Sequence, residues 1–316
     1  MASSNSIYLP PSEKFRKLEA RNTKYRFDPE RDIRWDDMDL PGMYFTGETI
    51  GGIDPSLFDS ISGLSETFNW AMGISTSEYF IALEKHLIRF FKEEVKNGHL
   101  PVSRSIELFE EEEVKHIRLF RRFADMLKAK RPDVVGLLDK HLKIFEHAWW
   151  RDPAGNYPSI EIYHFVNWLN AVLFEEYTLY LYDVLKQGHN IQPAWLSAHY
   201  AHMREETQHV ITDMAYLERL DLDDKTREHW GRRVMEKQFK RFGEDMSMPI
   251  AATWKFLMEL YPNAEMLSPF METFSSLEAR KQDFLNLINY KNFFLRTKNA
   301  GRFSTFEKEL FPGRPN

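Results

Sequence analysis

Residues 201–210 read Ala-His-Met-Arg-Glu-Glu-Thr-Gln-His-Val, and His202, Glu206 and His209 stand there at i, i+4 and i+7. On an α-helix those intervals place two imidazoles and a carboxylate on one face within two turns. Trp195, Tyr216 and Leu220 continue the stripe, so the polar triplet interrupts an otherwise apolar face. A single histidine in a core is ordinarily a hydrogen-bonded structural residue; two of them flanking a glutamate form a donor set for a metal cation. Asp213 lies one turn further on, where a carboxylate either orients a ligating imidazole or serves as a simple salt-bridge partner.

A metal bound in a helical bundle draws ligands from several helices. Apolar residues at helical spacing run from about Ser65 to Lys96, stopped by Asn97 and Gly98 ahead of Pro101. A second pattern runs from about Ser103 to Lys130, closed by Arg131 and Pro132, and a shorter one follows from Asp133 to Trp150. Ser159 caps a long pattern from Ile160 to Lys186, and Pro193 opens the helix that carries the triplet and continues to about Leu220. Pro10, Pro11, Pro29, Pro41, Gly42, Gly51, Gly52 and Pro55 break any regular element near the start. The expected fold is all-α: an irregular arm over residues 1–64, a helical bundle over 65–220, and C-terminal helices over 221–316 packed on the same domain. One of the last is a Phe-rich segment from about Phe284 to Phe294.

Glu-x-x-His occurs three times, as Glu113/His116, Glu161/His164 and Glu206/His209. With 11 His and abundant Glu in the chain, roughly one copy is expected by chance, so at least one is a decoy. Glu161/His164 opens its helix, whereas antiparallel helices share a metal near their middles, so that pair is set aside. Glu113 follows Glu110, Glu111 and Glu112; four consecutive helical residues sweep about 300°, so at least one must turn inward. The stripe of Ile106, Phe109, Ile117, Phe120 and Leu127 passes over Glu113 and His116. A buried carboxylate needs a partner, and a metal cation supplies one.

A two-metal carboxylate bundle takes one further Glu from each of the two remaining long helices. On the first helix Glu78, with the small neighbours Ser75, Ser77 and Ala82, competes with Glu84, which is closer in height to Glu113. On the third, Glu175 and Glu176 are both surrounded by apolar residues, and periodicity leaves both choices open.

Composition narrows the class of function. The chain of 316 residues has 42 Lys and Arg against 48 Asp and Glu, a net charge of −6 that offers nucleic acid no general attraction. The absence of Cys removes disulfides, thiolate metal sites and a cysteine nucleophile. Residues 1–21 lack the apolar core of a secretion signal, and no stretch approaches the roughly 20 apolar residues of a membrane span, so the expected location is cytoplasmic. The large aromatics, Phe68, Trp70, Phe80, Trp168, Phe174, Tyr177 and Tyr180 among them, are read as core packing.

The order Glu, Glu-x-x-His, Glu, His-x-x-x-Glu-x-x-His resembles that of the AurF-type di-iron N-oxygenases (p-aminobenzoate N-oxygenase-like) of the ferritin-like superfamily. The third histidine of that family, one turn before the last Glu-x-x-His, is matched by His202. The resemblance covers about residues 70–215. It selects Glu78, 35 residues before Glu113, and Glu175, 27 residues before His202. It thereby implies a ferritin-like four-helix bundle in which Glu78, Glu113, His116, Glu175, His202, Glu206 and His209 hold two Fe ions. It further implies O2 as co-substrate, a peroxo-diferric intermediate, an external reductase, and an amine substrate, free or carrier-bound, taken toward hydroxylamine, nitroso or nitro products. Oligomeric state, a homodimer included, is left open. Three other readings remain. A C–H hydroxylase or desaturase would use the same scaffold, an iron-handling ferroxidase would oxidise or store ferrous ion, and a helical interaction module would bury these residues with no metal.

Overall fold

Ser103 and Ser159 open two of the long helices by the same device: each lies in extended backbone and its Oγ accepts the N–H three residues on, from Ile106 and Ile162 respectively. Gln192 does the same for Trp195, with Pro193 in the first turn. These caps start three of the four helices that make the bundle in the computed structural model: α1 (Leu64–Lys96), α2 (Arg104–Lys130), α4 (Ile160–Leu185) and α5 (Pro193–Arg219). Between α2 and α4 lies the short α3 (Val135–Leu142), and α6 (Asp224–Asp245) and α7 (Met248–Leu260) follow α5. The structure describes residues 7–13, 15–17, 26–45, 61–147, 154–245, 248–261 and 263. The Phe284–Phe294 helix expected from sequence lies outside the described residues, as does the end of the helix expected to reach Trp150.

The four long helices form two antiparallel hairpins, α1 with α2 and α4 with α5, and α2 crosses to α5 to close the bundle. Gly98, at φ 75°, occupies the left-handed position just past α1 that releases the chain into α2. Among the described residues β-structure is limited to the isolated bridges Tyr8–Leu220 and Met43–Ile191. The second of these ties the N-terminal segment to the start of α5; Ile7, Tyr8, Phe15, Phe27, Trp35, Met38, Tyr44 and Phe45 are all buried against the helices. Elsewhere α7 lies on α1 and α3, and α6 on α4.

The apolar interior falls into two compartments. One contains Phe80, Ile81, Leu119, Phe120, Phe123, Leu181 and Trp195; the other contains Leu87, Phe91, Ile106, Phe109, Trp168, Val172 and Tyr216. Along every long helix the boundary between them falls mid-helix. Buried carboxylates and imidazoles occupy that boundary.

Candidate metal centre

Hairpin geometry sets which residues meet. In an antiparallel pair, positions equally far from the connection lie at the same height, because each residue rises about 1.5 Å. Glu84 and His116 each stand 16 residues from Leu100, in the α1–α2 connection. Glu175 stands 14 residues before His189, in the α4–α5 connection, and His202 13 after it. All four therefore reach one layer, together with Glu113, Glu206 and His209.

Within that layer His116 turns Nδ1 inward, 3.1 Å from Glu113 Oε2, 3.1 Å from Glu206 Oε1 and 3.9 Å from Glu84 Oε1. His209 also turns Nδ1 inward, 2.5 Å from Glu206 Oε2, 3.3 Å from Glu113 Oε1 and 3.8 Å from Glu175 Oε1. His202 points Nε2 into the layer, 3.3 Å from Glu84 Oε1 and in close contact with Glu206. Two groups of donors result, Glu84, His116, His202 and Glu206 in one and Glu113, His116, Glu206 and His209 in the other, each with its donor atoms within 4.8 Å of one another. His116 and Glu206 belong to both.

Six of the seven residues selected from sequence therefore come together: Glu113, His116, Glu175, His202, Glu206 and His209. Glu78 does not. Six residues earlier on α1, it is displaced by about 9 Å along the axis and projects on another face. There it accepts from Arg121 Nη1 at 3.0 Å and Lys128 Nζ at 2.9 Å, beside an open cleft also lined by Lys85 and Arg89. Glu84 takes the place expected of it. The register of α1 against α2, not the interval implied by the resemblance, decides which acid of α1 reaches the layer.

The electrostatics of the layer suit a bound cation. Glu84, Glu113, Glu175 and Glu206 are at most 5% exposed, and among the described residues none of them pairs with Lys or Arg. Burial, then the neighbouring Glu84, drives Glu113 well above the ordinary carboxylate range; burial, then Glu206, does the same to Glu175. Burial alone would also raise Glu206, but the three surrounding imidazoles hold it well below. Conversely, burial works against a charge on His116, yet Glu206 and Glu205 raise it to about 9. Such opposed shifts describe carboxylates using imidazolium protons as counter-ions. Glu113 Oε1, Glu175 Oε1, both Glu206 oxygens, His209 Nδ1 and His202 Nδ1 have no well-formed hydrogen bond among the described residues. Oxygen-rich donors with some imidazole, buried and orphaned, fit hard or borderline divalent ions such as iron or manganese.

Outside this layer, each of two imidazoles is braced on its far nitrogen. His116 Nε2 lies 3.1 Å from Glu205 Oε2, and His209 Nε2 lies 3.0 Å from Glu112 Oε2. Glu205 is itself held by Lys115 and by the backbone N–H of Phe27 at 3.2 Å. Phe109 stacks on His209 with ring centroids 3.8 Å apart. The outward hydrogen bond leaves Nδ1 of each ring as the nitrogen presented to a metal. Sequence reading missed Glu112 and Glu205, although a signal existed: both outer motifs are Glu-Glu-x-x-His, at residues 112–116 and 205–209. On each helix the second Glu faces inward with its own His, and the first braces the His of the opposite helix. Asp213, read from sequence as either orienting an imidazole or serving as a salt-bridge partner, is fully buried with neither oxygen hydrogen-bonded among the described residues, and burial raises its pKa well above the ordinary value. The far nitrogen of His209 is braced by Glu112, not Asp213.

His164, of the pair set aside, stands outside this layer in a separate group with Glu94 and His99, whose donor atoms lie within 4.8 Å of one another. His164 accepts from Tyr8 OH at 2.6 Å and lies 2.8 Å from Glu94, which also meets His99 at 3.0 Å. Trp168 Nε1 donates to Tyr8 at 2.7 Å, which turns the Tyr8 proton toward His164 Nδ1 and leaves Nε2–H for Glu94.

No protein-family model matches the chain and no curated protein matches it. Solved structures do. A mutant of an R2-like ligand-binding oxidase with an anaerobically reconstituted Mn/Fe cofactor superposes at a TM-score of 0.53, with 16% identity over 90% of this chain and 93% of that one. A second mutant with an aerobically reconstituted Mn/Fe cofactor gives 0.51 at 18% identity, covering 90% and 93%. The fold is ferritin-like. In this ferritin-like bundle the polar layer sits between the two apolar compartments, at mid-height of all four helices. At such identity the likeness carries architecture only. No helix among the described residues is long and apolar enough to cross a membrane.

Proposed function

We propose that the chain is an O2-dependent di-metal oxygenase, with two irons held by Glu84, Glu113, His116, Glu175, His202, Glu206 and His209, that oxidises the nitrogen of a small-molecule amine. The observation that carries the di-metal part is the layer of four buried carboxylates that, among the described residues, face three imidazoles and no Lys or Arg. Two divalent ions would neutralise it, displacing the imidazolium protons. The Mn/Fe cofactor of the structural neighbours makes a mixed or manganese-containing centre the natural variant, and the donor set suits either metal.

When bound, a pair of reduced ions supplies two electrons to dioxygen at one place. The chain does the rest. Glu205 and Glu112 fix the imidazole tautomers, Phe109 stacks on His209 and Phe27 lies parallel to His116, and the apolar compartments exclude water from the layer. A compact enclosed centre suits a small substrate, with electrons delivered from outside by a reductase. The assignment to nitrogen rests on the order of the motifs and on His202, which joins the layer through Nε2. Oxidation of a carbon on the same scaffold is the rival.

The test is metal analysis of protein reconstituted anaerobically with ferrous iron, followed by exposure to O2 with a panel of aromatic and aliphatic amines and mass analysis of the products. About two irons per chain and products heavier by one or two oxygens on nitrogen are expected. Hydroxylated carbon would transfer the reading to the rival, and protein that binds no iron or manganese would remove the enzyme altogether and favour a helical interaction module.

A further inference from the structure

Of the four buried indoles among the described residues, three donate to a clear acceptor: Trp35 to Pro29 O at 2.6 Å, Trp70 to Leu127 O at 2.8 Å and Trp168 to Tyr8 OH at 2.7 Å. The fourth, Trp195, is fully buried and its Nε1–H meets no acceptor among the described residues. Of the five buried imidazoles, His116, His164, His202 and His209 each face at least one carboxylate. The fifth, His199, is fully buried with both ring nitrogens unmatched among the described residues. These two exceptions are neighbours. They lie one turn apart on α5 with ring centroids 4.2 Å apart.

They also adjoin the metal centre. His199 is one turn before His202, and Phe80 and Phe120 touch both histidines, at 5.7 and 5.5 Å from His199 and 5.3 and 4.9 Å from His202. Phe123, Tyr44 and Phe45 also lie against Trp195. Buried polar groups in native proteins are almost always hydrogen-bonded, and an adjacent orphaned pair in an aromatic wall beside a reactive centre calls for a ligand.

We propose that Trp195 and His199 form the recognition subsite for the substrate of this centre, taking an uncharged group that accepts one hydrogen bond and donates another, carried on a flat apolar body. The word substrate rests on the oxygenase reading; the binding does not. An indole N–H only donates, so the ligand presents an acceptor to Trp195. A neutral imidazole offers one donor and one acceptor, so a hydroxyl, an amide or an unprotonated amine completes the pair. The walls named above contain no Lys, Arg, Asp or Glu, so a carboxylate or an ammonium would be stranded there.

Calorimetric titration of metal-free and of anaerobically iron-loaded protein with aniline, phenol, toluene and benzoate tests this, with metal content measured on the same samples. Aniline and phenol are expected to bind about tenfold or more tighter than toluene, the scale of one well-made buried hydrogen bond, with benzoate weakest. His199→Phe and Trp195→Phe should each bring the phenol-to-toluene ratio close to one while toluene binding persists. Equal affinity for phenol and toluene, no binding of either polar probe, or a preference that survives both substitutions would overturn the proposal; if a variant fails to fold, the wild-type series alone decides. Failure to load metal while the preference persists would remove the oxygenase reading and leave the subsite standing.

Discussion

Glu84 and Glu78 differ by six positions on one helix, and their surroundings make them different chemical objects. Glu84 faces imidazoles and other carboxylates in a buried layer, whereas Glu78 is already neutralised by Arg121 and Lys128. Glu84→Ala should therefore lower bound iron from about two per chain to one or fewer, while Glu78→Ala leaves it unchanged; metal analysis after gel filtration distinguishes them. The bracing carboxylates act at one remove. Glu205→Gln removes the negative charge behind His116 and leaves Lys115 without its partner, so metal affinity should fall roughly 10–100-fold in a chelator competition assay. Asp213→Asn, which touches neither braced imidazole by a hydrogen bond, should change affinity far less.

At the scale of elements, the two hairpins set the height of the centre, and the N-terminal segment locks the far end of the bundle. Tyr8 bridges α4 through His164 and Trp168, and His164 in turn holds Glu94 near the end of α1. Tyr8→Phe leaves the Trp168 N–H and His164 Nδ1 without this partner, which should cost about 1–3 kcal/mol in urea unfolding. Bound iron should not change, because this network and the metal layer are separate. A loss of metal in Tyr8→Phe would show that the segment and the centre are coupled.

For the whole molecule, the proposed metals and protons would compete for the same layer. Free metal at about a hundred times its dissociation constant should stabilise the fold by roughly 2.7 kcal/mol. The raised values of His116 and His209 belong to the metal-free protein, where their protons stand in for metal; loading should release protons and weaken as pH falls. His199 and His164 behave oppositely. Burial lowers both, well below the ordinary 6.5 for His199 with help from His202, so the unfolded chain takes up their protons first. Their contribution is present above about pH 6.5 and is lost as the pH falls below it, at about 1.4 kcal/mol per pH unit for each group. His199→Phe should flatten the acid limb of the stability profile between pH 6.5 and 5 by one such slope, as read from unfolding midpoints of the metal-free protein.

Periodicity, caps and breakers in the sequence were enough to place four long helices to within a residue or two of their ends, because those signals are local. The same holds for the triplet His202, Glu206 and His209 and for the pair Glu113 and His116: residues three and four apart on a helix share a face whatever the helix packs against. Relations between helices were not legible in that way. Whether Glu78 or Glu84 reaches the layer depends on the register of α1 against α2, and whether Glu112, Glu205 or Asp213 braces an imidazole depends on which helix lies opposite. The orphaned pair of Trp195 and His199 is likewise invisible in sequence, since a missing hydrogen bond is a property of everything around it. Local geometry fixed the donors; tertiary packing chose among the acids and decided which polar groups were left for something else to bind.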